Sequence, residues 1–330
     1  MSDEIRRILS CYSFAAKDAH SLNNDNDVFR VTDDRGNRYF LKIYGNDNDY
    51  DIIPGERIYH TYEQVRIESE ILNLLSTGGM KTAVPVSNKK GEFVTALAPG
   101  VNGGPSPYAM VTSFIEAPPM TLTAETAYLA GVTAARLHLE SERKLLSLAV
   151  KRPHKRKDYV LKMRNRLAQG VTANVFTGAQ FEMISQCCGV VLDCMNRLDE
   201  DPEHNVGLVH TDIIPGNCMC TPERVIPVDF SRCVYSYYLY DLGEMCFHSD
   251  FGGSSPDLRN AVLRGYHSVK PLKKEHLFMI QAFFFMFLMT VLAVGIDAGQ
   301  SAWRDGLLKW LAAEVHPGLI SGRGWSDAAY

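Results

Sequence analysis

A chain of 330 residues is long enough for two lobes and a substantial core, and 46% apolar with 22% charged residues is the balance of an ordinary globular protein. The net charge of -4 gives no general attraction for nucleic acid or an anionic membrane surface, so neither is expected as a partner. The eight cysteines (positions 11, 187, 188, 194, 218, 220, 233 and 246) form no pair of C-x-x-C units, and the N-terminus lacks the apolar core of a secretory signal; a reducing, cytoplasmic setting is the simplest expectation.

In chain order, Met1-Ser-Asp-Glu-Ile-Arg-Arg opens a polar, helix-like segment. Val28–Val31 and Tyr39–Tyr44 alternate in polarity around the turn Asp33-Asp-Arg-Gly36, which predicts a β-hairpin. Lys42 sits inside its second strand, where a lysine taken alone reads as an edge or surface residue. Asp47, Asp49 and Asp51 imitate a calcium loop, but Ile52 and Ile58 stand where that loop needs Gly and Glu. Gln64 to Ser76 has helical spacing, with Ile67, Ile71, Leu74 and Leu75 on one face and Gly78-Gly79 to end it. Tyr108 to Ile115 reads as a buried strand ending at Glu116-Ala-Pro-Pro119, after which Thr123 caps a helix running through Gly131 to His138.

Residues 151–166 carry Lys151, Arg152, Lys155, Arg156, Lys157, Lys162, Arg164 and Arg166 against Asp158. A solvated helix face is the expectation, with a nucleic-acid or other polyanion site as the alternative and an anionic or phosphorylated acceptor also open. Leu277 to Ile296 is uncharged over 20 residues and long enough to cross a bilayer. Gln281 and Thr290 interrupt it and Asp297 follows at once, so the expectation is a helix buried in a large lobe.

The chemistry concentrates in Gly207-Leu-Val-His210-Thr-Asp212-Ile-Ile-Pro-Gly-Asn217 and Val225-Ile-Pro-Val-Asp229-Phe230. Pro215-Gly216 forces a turn between Asp212 and Asn217, and Cys218–Val228 reads as a hairpin that folds Asp229 back beside Asn217. Phosphoryl transfer needs a positioned acceptor hydroxyl and metal ions on the phosphates. Asp212 can serve the first need, and an oxygen each from Asn217 and Asp229 the second, because magnesium takes carboxylate, amide and phosphate oxygens together.

These residues resemble the aminoglycoside phosphotransferase and choline kinase superfamily, relatives of the protein kinases. The resemblance implies an α+β, bilobal, protein-kinase-like fold: a small antiparallel-sheet N-lobe with one helix (1–115) and a larger, mostly helical C-lobe with catalytic loop and acceptor pocket (116–330). It also implies Asp212 as catalytic base, Asn217 and Asp229 as metal ligands, and Lys42 paired with Glu68 on the nucleotide phosphates, Glu70 being the fallback. Ser21 opens a turn over the phosphates, Ser113, Phe114 and Ile115 meet the adenine base, and Asp241 braces the catalytic loop. The chain departs from the family pattern at Thr211, where glycine is usual, at Ile213-Ile214, where a Leu-His pair is usual, and at Ser231, where many members carry an acid.

The expected activity is transfer of the terminal phosphoryl group of ATP or GTP, with Mg2+, to a hydroxyl of a small molecule such as an aminoglycoside, an amino-alcohol or a sugar. A protein Ser/Thr kinase of the same superfamily and a non-catalytic nucleotide-binding scaffold are the alternatives. Glu244, Asp250, Asp257, Asp297 and Asp305 are the candidate acids for a cationic acceptor.

Overall fold

The computed structural model describes residues 1–23, 27–44, 59–97, 108–201, 203, 205–250, 255–297, 301–323 and 325. The segment from Asn24 to Asn26 and the Asp47-x-Asp49-x-Asp51 run lie outside them. Among the described residues the chain divides into two compact units, one running to Ala117 and the other starting at Pro118.

In the first unit, β1 (Ala16–Ser21), β2 (Val28–Asp33), β3 (Arg38–Tyr44), β4 (Val94–Ala96) and β5 (Tyr108–Ser113) form an antiparallel sheet in the order β1-β2-β3-β5-β4. Period-two alternation sends Phe29, Val31, Leu41, Ala109 and Val111 to one face, where they pack with Ile5, Ile8 and Leu9 of α1 (Asp3–Leu9) and with Tyr12. The β2–β3 turn is set by Asp33, whose carboxylate accepts from the N–H groups of Arg35 (2.9 Å) and Asn37 (2.8 Å), and by Gly36 at φ +85°. The long helix α2 (Tyr62–Thr77) starts at Thr61, whose hydroxyl accepts from the Gln64 N–H at 3.2 Å. It buries Val65, Ile67, Glu68, Ile71, Leu72 and Leu75 and packs against β4 and β5.

The second unit is mostly helical: α3 (Ala124–Glu140), α4 (Leu146–Ala149), α5 (Lys157–Thr172), α6 (Gly178–Glu200), α7 (Tyr238–Ser249), α8 (Pro256–His267), α9 (Lys274–Asp297), α10 (Ser301–Trp310) and α11 (His316–Ile320). The tightest crossing joins α3 to α8. Gly131 there faces the Val262 carbonyl and Gly265 the Tyr128 carbonyl, so closely that a Cβ at either would strike a backbone oxygen. The crossing sets Tyr266 of α8 against His138 of α3.

The uncharged segment forms α9, which packs on α5, α6 and α7, and 72% of its most apolar stretch is buried. Its two polar interruptions are buried as well, and Thr290 meets the Tyr159 hydroxyl at 2.8 Å. The expected buried helix is therefore what the fold contains. Two short ribbons complete the unit: β6 (Val206–Val209) pairs with β9 (Val234–Tyr237), and β7 (Cys218–Thr221) with β8 (Arg224–Pro227), all antiparallel.

Candidate active site

Strand β6 delivers the chain into His210-Thr-Asp212, and the first turn of α7 holds it there. The Asp241 carboxylate accepts from the backbone N–H of His210 at 2.9 Å and of Thr211 at 2.7 Å. Its third partner is the Nε2 of His138 at 3.0 Å, whose Nδ1 lies 2.9 Å from the Tyr266 hydroxyl. With Nε2 donating to the carboxylate, this network assigns Nδ1 as the acceptor from Tyr266. Burial pushes the Asp241 carboxyl upward, but the bonds from His138 and the two loop amides outweigh it and hold it below the usual carboxylate range. Asp241 is thus the loop brace, and His138 a positioning residue behind it.

Thr211 is in the left-handed region at φ +61°, which explains why glycine suits this position. A β-branched residue there costs on the order of 1–2 kcal/mol. Two bonds hold it: the amide to Asp241 just described, and its Oγ1 donating to the Arg232 carbonyl at 2.9 Å. His210 is fully buried against Phe230, ring centroids 4.6 Å apart, and burial lowers its pKa. Neither ring nitrogen has a hydrogen-bond partner, so His210 packs as a neutral ring and does not act as a base.

Beyond it, Pro215–Asn217 forms a tight turn, and the Asn217 Nδ2 donates to Asp212 Oδ2 at 2.6 Å. The two ends of the loop therefore touch. The β7–β8 hairpin sets Cys218 opposite Pro227, and the Val228 N–H donates to the Asn217 carbonyl at 3.0 Å, which brings Asp229 beside Asn217. Asp229 Oδ1 accepts from the Ser231 N–H at 3.0 Å. Burial raises the proton affinity of Asp212; His210, Arg232 and Lys155 counter this and Asp229 adds to it. An amide oxygen and a carboxylate are ligands of the hard-cation type, so the donor set fits magnesium. Among the described residues no three His, Cys, Asp or Glu side chains gather as a metal site, so phosphate and water oxygens have to complete the shell of an ion here.

In the first unit, Lys42 lies in β3, between β2 (opposite Val28) and β5 (opposite Met110), which rules out the edge reading. Its ammonium is 5.3 Å from the Tyr44 ring centroid. Glu68 is 3% exposed on the packed face of α2, whereas Glu70 is tied to Arg66 at the surface, which favours Glu68 over the fallback. Ser21 ends β1, its hydroxyl donating to the Asn23 carbonyl at 2.6 Å. The Ser113 N–H donates to the Val84 carbonyl (2.8 Å) and the Phe114 N–H to the Arg38 carbonyl (3.1 Å), while among the described residues the Ile115 N–H makes no such bond.

The basic residues of α5 are exposed or half-buried, as a solvated face requires, but two that precede the helix are buried. Arg152 is 2% exposed and donates to the carbonyls of Ser231 (2.6 Å) and Cys233 (2.9 Å). Lys155 is 6% exposed and donates to the Tyr240 hydroxyl at 3.3 Å, while Arg156 and Lys157 pair with Asp199. A count of charges along the sequence gives no sign of these carbonyl and aromatic partners. Among the candidate acids, Asp250 is paired with Arg259 at 2.6 Å, Asp257 and Asp305 are exposed, and the Asp297 side chain lies outside the described set. Glu244 is buried one helical turn beyond Asp241.

The sequence of residues 19–276 matches the model of the APH phosphotransferase enzyme family. The chain belongs to this family. It is accordingly a phosphotransferase with a kinase-like fold. Three structural neighbours share that fold. An amicoumacin kinase in complex with AMP-PNP, Ca2+ and Ami is 18% identical, with a TM-score of 0.69 over 98% of this chain and 95% of that one. An aminoglycoside phosphotransferase from Alicyclobacillus acidocaldarius is 17% identical, with a TM-score of 0.66 over 96% and 94%. A microcompartment-associated aminopropanol kinase is 17% identical, with a TM-score of 0.70 over 97% of both chains. A search of curated proteins gave no match.

Proposed function

We propose that this phosphotransferase moves the terminal phosphoryl group of ATP or GTP to a hydroxyl of a small molecule, with Asp212 as the base and Mg2+ held by Asn217 and Asp229. The observation that carries the proposal is the closed catalytic loop: Asp212 and Asn217 in contact at 2.6 Å, with the β7–β8 hairpin returning Asp229 to the same place. Bound magnesium would neutralise charge developing on the phosphates.

The remaining roles belong to the chain's own residues. Asp212 orients the acceptor hydroxyl and takes its proton as the oxygen forms a bond to the terminal phosphorus and the bond to the bridging oxygen of the leaving nucleoside diphosphate breaks. Its buried, raised proton affinity suits that task. The Asn217 amide keeps the carboxylate turned into the loop. Lys42, supported by Glu68, serves the nucleotide phosphates, and the backbone around Ser21 faces them. Adenine recognition centres on Ile115, because the Ser113 and Phe114 amides are already bonded within their own unit. Nucleotide and small-molecule ligands named in neighbouring structures, AMP-PNP with Ami and ADP with spectinomycin, are in line with this reading.

A panel of hydroxyl acceptors with ATP and GTP, read by release of the nucleoside diphosphate, is the direct test. Asp212→Asn is expected to abolish transfer while leaving nucleotide binding measurable by calorimetry, and Asp229→Ala to weaken binding of the Mg-nucleotide itself. Full activity in Asp212→Asn would overturn the assignment of the base.

A further inference from the structure

Asp229 stands between two anchored stretches of chain. On its N-terminal side the Val228 N–H donates to the Asn217 carbonyl at 3.0 Å, beyond the paired strands of the β7–β8 hairpin. On its C-terminal side Phe230 to Cys233 forms a turn, closed by the Cys233 N–H donating to the Phe230 carbonyl at 3.1 Å. The direction of the Asp229 carboxylate is tied to that turn, because Oδ1 accepts from the Ser231 N–H at 3.0 Å. A rotation of the turn therefore carries the carboxylate with it.

Arg152 holds the turn from the other side. The buried arginine donates from Nη2 to the Ser231 carbonyl at 2.6 Å and from Nε to the Cys233 carbonyl at 2.9 Å. Between these two, the Arg232 carbonyl accepts from Thr211 Oγ1. Backbone pairing delivers the arginine to this place: the Tyr235 N–H donates to the Pro153 carbonyl at 2.9 Å and the Lys155 N–H to the Tyr235 carbonyl at 3.1 Å, a parallel bridge from His154 to Tyr235 of β9. Ser236 Oγ adds a bond to the Lys155 carbonyl at 2.5 Å. One edge of a planar guanidinium reaches two carbonyls at once, and its charge strengthens both bonds in a buried setting.

We infer that Arg152 is a positioning residue for the metal site: by clamping the turn at Ser231 and Cys233 it fixes the direction in which Asp229 presents its carboxylate, and so sets the affinity for the metal-nucleotide complex. The inference rests on the proposed role of Asp229 as a metal ligand. Without Arg152 the carbonyls of two buried residues, Ser231 and Cys233, lose a charged donor, and the turn gains freedom to swing. The β7–β8 pairing keeps its own bonds, so the loss falls on the carboxylate more than on the hairpin. An arginine that only supported the fold would weaken nucleotide binding with and without metal alike, whereas a positioning arginine acts through the metal.

The test is calorimetric binding of AMP-PNP to the full chain, once with magnesium and once in EDTA. Arg152→Met is expected to weaken binding of the magnesium complex about tenfold or more, and of the metal-free nucleotide less than about threefold. Arg152→Lys keeps the charge but lacks the planar fork, so its loss should fall between those of Met and wild type, and it decides the matter should the Met variant not fold. In an Asp229→Ala background Arg152→Met should add less than about twofold, because both changes remove the same contribution. Equal weakening with and without metal, unchanged binding of the magnesium complex in the Arg152 variants, or full additivity with Asp229→Ala overturns the inference. An Asp229→Ala protein that responds to magnesium as wild type does overturns the metal-ligand reading beneath it, whatever Arg152 does.

Discussion

Replacing Asp241 by Asn keeps the shape of the side chain and removes half of its capacity to accept. The native carboxylate, 1% exposed, takes three bonds, from the amides of His210 and Thr211 and from His138 Nε2. An Asn side chain offers one acceptor oxygen, so at least one buried N–H is left facing an NH2 group. Losing a bond to a charged group costs about 1.5–3 kcal/mol and an unsatisfied buried donor about 1–3, which gives about 3 kcal/mol overall because the two effects overlap. Thr211 is released at the same time from one of the two bonds that hold it at φ +61°, and Asp212 follows it directly. A displacement near 1 Å at the proposed base lowers kcat on the order of 100-fold. The first assay is urea unfolding of both proteins, compared by linear extrapolation. The second is kcat with any working acceptor. The depressed carboxyl of Asp241 fixes the sign of the pH effect: its stabilisation is complete above its unfolded pKa of about 3.9 and disappears as pH falls through the lower folded value, so the gap between the two proteins closes in acid. A stability change under about 0.5 kcal/mol at neutral pH, the range of ordinary surface substitutions, with kcat unaltered, refutes the brace.

Two substitutions test the backbone arguments. Thr211→Gly relieves left-handed strain but loses the bond to Arg232, effects of about 1 kcal/mol each, so thermal stability should hardly move, while Thr211→Val keeps the strain without the bond and should lose about 1–2 kcal/mol. A melting curve in which Val is as stable as Thr contradicts the role given to Oγ1. Gly265→Ala should cost 1–3 kcal/mol or more by forcing α8 from the Tyr128 carbonyl, and a wild-type denaturant midpoint would show that the crossing is looser than it looks.

What was legible in the sequence was local. Pro215-Gly216 and the Cys218–Val228 hairpin are short-range patterns, and they predicted both the turn at Asn217 and the return of Asp229, because turn chemistry and strand alternation act over a few residues. The Lys42 strand was legible as a strand, but its interior place was not, since only the pairing with β5 removes it from the edge. The same long-range pairing occupies the Ser113 and Phe114 amides through Val84 and Arg38, groups remote in sequence. The burial of Arg152 and Lys155 was hidden for the same reason. Among their partners are the backbone carbonyls of Ser231 and Cys233 together with Tyr159 and Tyr240, and a charge pattern carries no record of carbonyls.

Those hidden contacts give a physical meaning to the departures from the family pattern. The carbonyls of Ser231, Arg232 and Cys233, which follow Asp229 and Phe230, accept in turn from Arg152, the Thr211 hydroxyl and Arg152 again. The residue that replaces glycine therefore ties the His210-Thr-Asp212 loop to the segment that follows Asp229, and the Ser231 carbonyl accepts from a buried guanidinium. Arg152 and Asp241 grip the two segments from different elements, and Thr211 joins them. Asp212 and Asp229 are thus held in mutual register by backbone contacts.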